Sequence, residues 1–572
     1  MRLISDLSAV EPKSLLSRGA KKGCWRLTDY TADGMEGKML YADAHADTTP
    51  VTLPLDLKGW HKITVGVWGN PESRKYGHNG NRLKLSGAPC FTPFVRETSA
   101  LRGEVSAGST LSYETIEEIE MTEADITGKN LVIAPPPPGS DVETAIAYVR
   151  CEPISSTRVS EIISDRARSD TRRLISYNDG VSYSGRRSRW DREDLWEMIE
   201  PYRHSDIGNL TWGLVGDLTY FPTKVGTMET GSDWIKSFAS RGINPVVTAM
   251  EYAHQMGIEF YVYQRMGAWQ FPFPGDDSVS NFFNTHREFR CLTREGMPVG
   301  RLSYSYPEVR EHQADLLAEI AEYGVDGIDL NFMRGPVFVF YDEPLVNGFM
   351  QEFGEDPRKI DEWDERWLKY RLRSMTDFVR ELRGKLDVVG KKLGKRIAIS
   401  AVTFPTPLHN LYYGLDIDTW VKEGIIDRLV PWGNARGMPP VDLNYYAELT
   451  QGTQTTFWPH LFGFIDDSYI AKPGPEYLKQ SLEFYDAGAA GLALWDQVTF
   501  DAMHVQGPPL RRLGHVEEIR EMVNSGAPDN KGVLKKIEKL GDLDMKTSSA
   551  PTTHRERLIP NDYPKHMYMW PG

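Results

Sequence analysis

The spacing of apolar residues changes about one third of the way along the chain. From about residue 173, short apolar runs alternate with segments whose apolar residues recur every three to four positions, a pattern typical of strands followed by amphipathic helices. The predicted strands cover residues 173–179, 209–217, 258–267, 324–333, 396–404, 426–432, 455–464 and 490–497. Eight strand–helix units predict a (β/α)8 TIM barrel. Two doubly wound sheets would alternate in the same way, but no GxGxxG fingerprint opens a helix.

The first part of the chain has a different pattern. Up to about residue 165, short alternating strands follow one another with turns between them, which indicates a β-sandwich of the jelly-roll kind. We therefore predict an accessory sandwich at 1–165, a catalytic barrel at 170–530 and a tail at 531–572 that packs on the body. The tail ends in aromatic residues, and a free tail would leave them exposed to water.

The fourth predicted strand carries polar residues among its apolar ones. In "EYGVDGIDLNFMRGP" (322–336), Asp329 and Asn331 alternate with Ile328, Leu330 and Phe332, and Arg334 follows. Side chains alternate across a strand, so the polar and apolar sets face opposite ways. In a barrel the polar face would point inward near the mouth, where catalytic groups lie. The alternative is a buried aspartate that only hydrogen-bonds neighbouring strands.

This segment resembles the fourth-strand signature of the family-10-like group of TIM-barrel glycoside hydrolases, which reads D-G-I-x-L-D-[YF]-[IM]-R-x-P. The segments "DIDTWVKEGIIDRLVPWG" (416–433) and "AGAAGLALWDQ" near the eighth strand are similar to the same group. The resemblance covers the barrel alone and implies a glycoside hydrolase. The group places an Asp where this chain has Asn331, and an amide does not ionise. We therefore expect Asp329 to be a catalytic carboxylate, Asn331 to bind a sugar hydroxyl, and Arg334 to position substrate.

Hydrolysis of a glycosidic bond normally needs a second carboxyl group, about 5–5.5 Å away for retention and 6.5–9.5 Å away for inversion. Several acids follow predicted strand ends. We favour Asp496, which follows the eighth strand directly, and Asp217 and Asp466 are the next candidates. Each of them could instead cap a helix or hydrogen-bond a loop.

Other strand-end residues suit a carbohydrate cleft, because sugar rings stack on aromatic side chains. The candidates for substrate binding in addition to Asn331 and Arg334 are Asn178, Asp179, Asp217, Tyr263, Arg265, Trp269, Trp432, His460, Asp466 and Trp495. The aromatic set also includes Tyr177, Trp212 and Trp458, and about half of all these rings could equally be barrel core. Arg265 and Arg334 together would suit an acidic sugar. No His and carboxylate pair has metal-ligand spacing, so we expect neither a metal nor another cofactor.

Composition narrows the class of protein. The chain has 572 residues, 40% hydrophobic and 26% charged, with a net charge of −14. A net negative charge and the lack of basic runs argue against nucleic acid, and no apolar run is long enough for a membrane. The four cysteines lack metal spacing, and we expect buried thiols, although one disulfide among the first three would be possible. The start shows no signal peptide, so we expect a cytoplasmic protein, or a periplasmic or secreted one if a leader was trimmed.

The expected partner is a carbohydrate substrate, and a homo-oligomer is compatible with the sequence. Three functions follow: a glycosidase with paired carboxylates, a non-catalytic carbohydrate-binding barrel, and a lyase or isomerase on the same fold. Two convergent carboxylates would favour the first, Asp329 alone would favour the second, and a metal or phosphate site would favour the third.

Overall fold

The computed structural model describes most of the chain. The described residues are 1–43, 46–68, 81–94, 114–137, 143–178, 180, 190–216, 218–267, 279–333, 336–433, 438–461, 464–465, 470–471, 474–495, 511–526, 533–541 and 543. For 464–465 and 470–471 the description concerns the backbone only.

The first part of the chain forms two largely antiparallel sheets. Its strands are β1 Arg2–Ile4, β2 Leu16–Ser17, β3 Trp25–Ala32, β4 Met35–Ala42, β5 Val51–Leu53, β6 Trp60–Val67, β7 Arg82–Leu85, β8 Thr92–Pro93, β9 Thr115–Asp125, β10 Leu131–Ala134 and β11 Thr144–Pro153. The smaller sheet has the order β5-β10-β7-β8. Apolar side chains from both sheets, such as Leu53, Ile133, Ile63 and Val149, share one core.

The larger of these two sheets closes on itself. Its pairings run from β11 through β4, β3, a strand from the far end of the chain, β9 and β6, and then back to β11. The distant strand is Leu534–Leu540, which lies between β3 and β9 and buries Ile537 and Leu540. The first part of the chain thus contains a closed sheet, and the predicted β-sandwich stays a prediction. The predicted domain bounds remain predictions.

The second part of the chain is a mixed α/β unit. Its parallel strands are β12 Leu174–Asn178, β13 Ile207–Val215, β14 Glu259–Arg265, β17 Gly327–Asn331, β18 Ala398–Thr403, β19 Arg428–Pro431, β20 Thr456–Phe457 and β23 Leu492–Trp495. Two short hairpins, β15 Arg290–Leu292 with β16 Pro298–Leu302 and β21 Phe464–Ile465 with β22 Ile470–Ala471, are separate, and β24 is Leu534–Leu540.

The eight parallel strands form one sheet in the order β20-β19-β18-β17-β14-β13-β12-β23. A parallel bridge between His460 and Ala493 joins its two outer strands. The predicted alternation of strands and helices around a large parallel sheet is therefore confirmed. Because the edges meet, the sheet has an inner and an outer face.

Helices follow the strands and cover the outer face. They are α1 Ser156–Arg166, α2 Arg192–Glu197, α3 Asp233–Ala239, α4 Pro245–Gln255, α5 Asn281–Thr285, α6 Pro307–Glu322, α7 Glu343–Phe353, α8 Glu365–Leu393, α9 Pro407–Tyr412, α10 Ile417–Lys422, α11 Leu443–Thr450, α12 Gly474–Asp486 and α13 Val516–Ser525. The largest core joins helix residues such as Leu317 and Phe378 to strand residues such as Ile328 and Leu330. Among the helices that the structure describes, none has the length and apolar character needed to cross a bilayer.

An ionic cluster ties α1 to the parallel-sheet unit. The His515 ring lies between two carboxylates, with Nδ1 2.8 Å from Asp206 Oδ2 and Nε2 2.8 Å from Asp165 Oδ1. Arg512 also pairs with Asp165. Burial alone would lower the pKa of His515, but the two carboxylates outweigh it and raise that pKa above its ordinary value. All four cysteines are buried and free.

Candidate active site

The inner face of the parallel sheet carries the polar residues of β17. Ile328, Leu330 and Phe332 pack into the large core with the helices. Asp329 and Asn331 are fully buried on the other face of the strand. That inner face also holds a separate apolar cluster, which comprises Ile175, Tyr177, Tyr263, Val402, Val430, Trp432 and Ala493. The alternation read from the sequence thus places a carboxylate and an amide inside the closed sheet.

Asp329 is held by residues of other strands. Tyr177 Oη on β12 donates a hydrogen bond to Asp329 Oδ2 at 2.7 Å. Ser400 is its register partner on β18. Among the described residues, Oδ1 has no partner with ordinary hydrogen-bond geometry, although the Ser400 hydroxyl is close enough to favour the charged form. Within the described residues, this carboxyl group is therefore hydrogen-bonded through Oδ2 alone.

Burial raises the pKa of Asp329 to about 6, although the nearby Ser400 hydroxyl, the hydrogen bond from Tyr177 and the charge of Arg428 act in the opposite direction. Removing a carboxylate from water disfavours its ionised form. Burial, together with the adjacent Asp329, also raises the pKa of Tyr177 well above its ordinary value. Asp329 can thus gain and lose a proton near neutral pH while Tyr177 stays neutral.

Three residues lie beside the starts of β17, β19 and β23, namely Tyr261, Arg428 and Trp458, and we call them the floor cluster. The Arg428 guanidinium lies 5.0 Å from the centre of the Tyr261 ring and 4.6 Å from that of Trp458. Such cation–π contacts are favourable when the cation is desolvated. Its carboxylate neighbour is Glu259, 3.5 Å away and 54% exposed.

Aromatic side chains lie next to Asp329 on the inner face, and we call Tyr177, Tyr263, Trp432, His460 and Trp495 the aromatic layer. Trp495 is central, with ring centres 4.8 Å from Tyr177, 5.4 Å from Tyr263 and 4.7 Å from Trp432. His460 stacks on Trp432 at 4.3 Å. Such flat rings offer surfaces for the apolar faces of sugars.

The position of Tyr263 depends on a glycine in the neighbouring strand. A Cβ atom at Gly213 would lie 2.4 Å from the Tyr263 ring. Real Cβ atoms do not approach another atom so closely, so any larger residue at 213 would displace the ring from the aromatic layer.

Two buried amides have donors to spare. Asn331 Oδ1 accepts a hydrogen bond from the Met333 amide at 3.0 Å, and Asn178 Oδ1 accepts one from the Gly180 amide at 2.8 Å. Neither Nδ2 atom has a partner among the described residues. Buried polar groups are normally hydrogen-bonded, so these donors are suited to a ligand.

The remaining predicted residues are placed only in part. Arg265 is the register partner of Asn331 on the adjacent strand. Trp212 packs in the helix-side core and not on the inner face. The predicted residues that lie outside the described part of the chain are Asp179, Asp217, Trp269, Arg334, Asp466 and Asp496. The second carboxylate therefore stays a prediction. Within the described residues, no group of His, Cys, Asp and Glu could hold a metal ion.

Sequence reasoning missed two residues near Asp329 and the hydrogen bond made by a third. It treated Tyr177 as lining and did not single out Ser400 or Arg428. The signal for Arg428 was present in "IDRLVPW", where Arg428 shares a strand face with Val430 and Trp432 by alternation. A charge on an apolar strand face needs a compensating group, but only the strand order shows that this group is across β18.

Comparisons with known proteins give matches of low identity and low TM-score. No family model and no curated protein matches the chain. Among solved structures, it is similar to alpha-L-fucosidase isoenzyme 2 from Paenibacillus thiaminolyticus, with 13% identity and a TM-score of 0.40, over 62% of this chain and 50% of that one. It is also similar to the catalytic domain of beta-amylase from Paenibacillus polymyxa, with 9% identity and a TM-score of 0.40, over 57% and 94%.

A third similar structure is alpha-galactosidase from Thermus thermophilus, with 10% identity and a TM-score of 0.34, over 86% of this chain and 94% of that one. The chain spans about half the length of the fucosidase. The solved structures that it resembles thus include glycoside hydrolases, at identities too low to transfer any residue or substrate. They do not single out the family-10-like group.

Proposed function

We propose that this protein is a glycoside hydrolase whose reaction takes place at the inner face of the parallel sheet, with Asp329 as one of its carboxyl groups. The observation that carries the proposal is the environment of Asp329. It is a fully buried carboxyl group with a pKa of about 6, next to stacked aromatic rings. Perturbed titratable groups of this kind cluster at functional sites.

The chemistry needs a group that can transfer a proton near neutral pH. A glycosidase uses one carboxyl group to protonate the leaving oxygen and a second to act as a base or nucleophile. The raised pKa of Asp329 suits the proton donor, because about half of the Asp329 carboxyl groups carry a proton near pH 6. Asp496, Asp217 and Asp466 are our candidates for the second group, in that order.

Substrate recognition would use the rest of the inner face. The rings of Trp432, Trp495 and Tyr263 would stack on sugar rings, and the spare amide donors of Asn331 and Asn178 would bind hydroxyl groups. Arg265 and Arg334 would contact polar substituents. In this proposal the parallel sheet is a (β/α)8 barrel of the family-10-like kind, with the first part of the chain as a sandwich-like accessory unit.

A non-catalytic carbohydrate-binding protein is the second candidate. One observation favours it: Asp329 is fully buried, and its described neighbours Tyr177 and Ser400 are strand residues that could retain it for structure alone. In that case the aromatic layer would bind a glycan without cleaving it.

A glycan panel separates these candidates. The purified protein is incubated with plant, algal and bacterial glycans, and released sugars are measured together with binding by calorimetry. Release that disappears in Asp329→Asn supports the hydrolase. Binding without release by the parent protein supports the second candidate. Neither binding nor release across the panel counts against both.

A further inference from the structure

Arg428 is a buried cation that the proposed reaction does not use. Its side chain is 12% exposed, and its Nη1 has no partner within the described part of the chain. The guanidinium lies over the rings of both Tyr261 and Trp458. Burying a charge is costly unless another group compensates for it, and half-exposed Glu259 at 3.5 Å compensates only in part.

The strand order brings this cation towards Asp329. Ser400 pairs with Asp329 on one side and with Arg428 on the other, so the three residues lie in line across β17, β18 and β19. All three belong to the inner face of their strands. Among the described residues, Asp329 and Arg428 form no salt bridge within 4 Å. They can still interact through space, because both lie in a region of low dielectric constant.

Other titratable or charged groups near this pair come from the adjacent strands. They are Tyr177, Glu259, Tyr261, Tyr263, Arg265 and His460, with Asp326 and Asp427 at the amino ends. Burial raises the pKa of Tyr177 and Tyr261, so both are neutral at working pH. Glu259 is screened by solvent. Arg428 therefore supplies the buried positive charge on the floor side of Asp329.

We propose that Arg428 is a positioning residue that acts through Asp329: its fixed positive charge stabilises the Asp329 carboxylate from the floor of the sheet. Proton transfer at the site then depends on a residue that substrate never touches. As a role in the reaction, this inference rests on the proposed function, whereas the electrostatic coupling can be measured without any substrate.

The expected size follows from Coulomb's law. Asp329 and Arg428 are two strands apart, and neighbouring strands lie about 4.8 Å apart, which gives a separation of roughly 10 Å. Two unit charges at that separation and an effective dielectric constant of about 20 interact strongly enough to move an ionisation by roughly one pH unit. Removing the positive charge of Arg428 should therefore raise the pH at which Asp329 ionises by about that amount. A residue that only packed in the floor cluster would leave it in place.

The coupling is measured by thermal unfolding of the full-length protein from pH 4 to pH 9. Asp329→Asn is made both in the natural sequence and in each Arg428 variant. In each case, the melting temperature of the protein with Asp329 is subtracted from that of the protein with Asn at 329, so that structural effects common to both cancel. Ionisation of buried Asp329 destabilises the folded protein. The difference in melting temperature should therefore grow as pH rises and level off once Asp329 is fully ionised. In the Arg428→Met background, levelling should occur roughly one pH unit higher.

Arg428→Lys is the matched control, because it keeps the charge and loses the planar stacking group. Its levelling pH should stay close to that of the parent. If Arg428→Met does not fold, Arg428→Gln replaces it, as a neutral side chain that keeps polarity and length. An unchanged levelling pH in the neutral variant overturns the inference, and so does an equal shift in the Arg428→Lys variant.

The pH dependence of kcat/KM on a glycan from the panel extends the test to the reaction. The positioning role is supported if the limb of the kcat/KM profile lies at higher pH in the neutral variant and at the parent's pH in Arg428→Lys. If no glycan is cleaved, the hydrolase proposal fails while the melting series still decides the coupling. Cleavage with an unmoved limb rejects only the inference about Arg428.

Discussion

The two closed sheets of this protein differ in what they enclose. The ring of antiparallel strands buries Tyr30 and Tyr148, and both hydroxyl groups have partners, Ala147 O at 3.1 Å and Glu118 Oε1 at 2.9 Å. The parallel sheet encloses Asp329 and Arg428, and each has an atom without a partner among the described residues. A buried polar atom without a partner is unfavourable for folding alone. The ring also has buried atoms without a partner in the described part of the chain, at Thr28 Oγ1 and Thr64 Oγ1. What distinguishes the parallel sheet is a buried carboxyl group whose pKa burial raises to about 6, beside stacked aromatic rings. For that reason we propose the reaction in the parallel sheet.

The largest expected effect is on catalysis through Asp329. Asp329→Asn keeps the volume and the hydrogen bond from Tyr177 but removes the ionisable group. We expect at least about a thousandfold loss of kcat/KM on a cleaved glycan, of the order seen when other catalytic groups are removed.

The same variant, Asp329→Asn, should lose activity but gain stability. The pKa of Asp329 is raised to about 6 from an ordinary 3.8, so the folded state binds the extra proton and parent stability falls as pH rises from about 4 to 6. The variant lacks this loss, which is roughly 3 kcal/mol at neutral pH. Urea or thermal unfolding of Asp329→Asn at pH 7 should give a midpoint no lower than that of the parent, and a clearly lower midpoint would make Asp329 a structural residue.

Asp342 provides a matched control. Burial raises the pKa of Asp342 also to about 6, but this carboxylate accepts hydrogen bonds from the amides of Leu292 and Phe340, both at 2.8 Å. Asp342 therefore joins β15 to the segment that leads into α7, outside the inner face. Asp342→Asn should lower the melting temperature and leave the pH dependence of kcat/KM unchanged. Equal loss of activity in both variants would show that any buried carboxyl matters, and would weaken the assignment of Asp329.

The next effect tests the antiparallel ring. β24 pairs with β3 and β9, which are far from it along the chain. Ile537 of this strand is buried, whereas Leu534 of the same strand is 42% exposed. Ile537→Ala should cost about 2–4 kcal/mol of stability, and Leu534→Ala should change it by no more than about 0.5 kcal/mol. Calorimetric melting of the two variants makes the comparison. Equal effects would mean that β24 is not part of the ring in solution.

The smallest effect concerns the cluster that joins α1 to the parallel-sheet unit. The pKa of His515 is raised, so its contribution to stability is fully present below its ordinary value of 6.5 and is lost as pH rises through the folded value. His515→Gln should therefore be less stable than the parent at pH 6, by about 1–2 kcal/mol, and closer to it at pH 9. A stability difference that grows with pH would contradict the bridge between Asp165 and Asp206.

Much of the parallel sheet could be predicted from the sequence, because strand alternation is a local property. The inner position of Asp329 follows from the period of two in "GVDGIDLNFM". The neighbours of Asp329 could not be predicted in this way. Tyr177 is 152 positions away along the chain, and only strand order and register bring it and Arg428 near the carboxylate.

The first part of the chain was predicted less well. The segment "LKKIEKL" has four charged residues in seven and buries only Ile537 and Leu540, so it shows little of the alternation that marks a strand. Its place between β3 and β9 is set by the two edges that it covers. Local pattern could not reveal a strand whose stability comes from distant partners.

We propose that Asp329 transfers a proton during cleavage of a glycosidic bond, and the pH dependence of kcat/KM is the sharpest test of this role. Parent protein and Asp329→Asn are compared from pH 4 to pH 9 on one glycan from the panel. We expect a parent profile with a limb near pH 6, the value to which burial raises the pKa of Asp329, and residual activity of the variant without that limb. A limb near pH 6 that persists in Asp329→Asn at undiminished rate would contradict it.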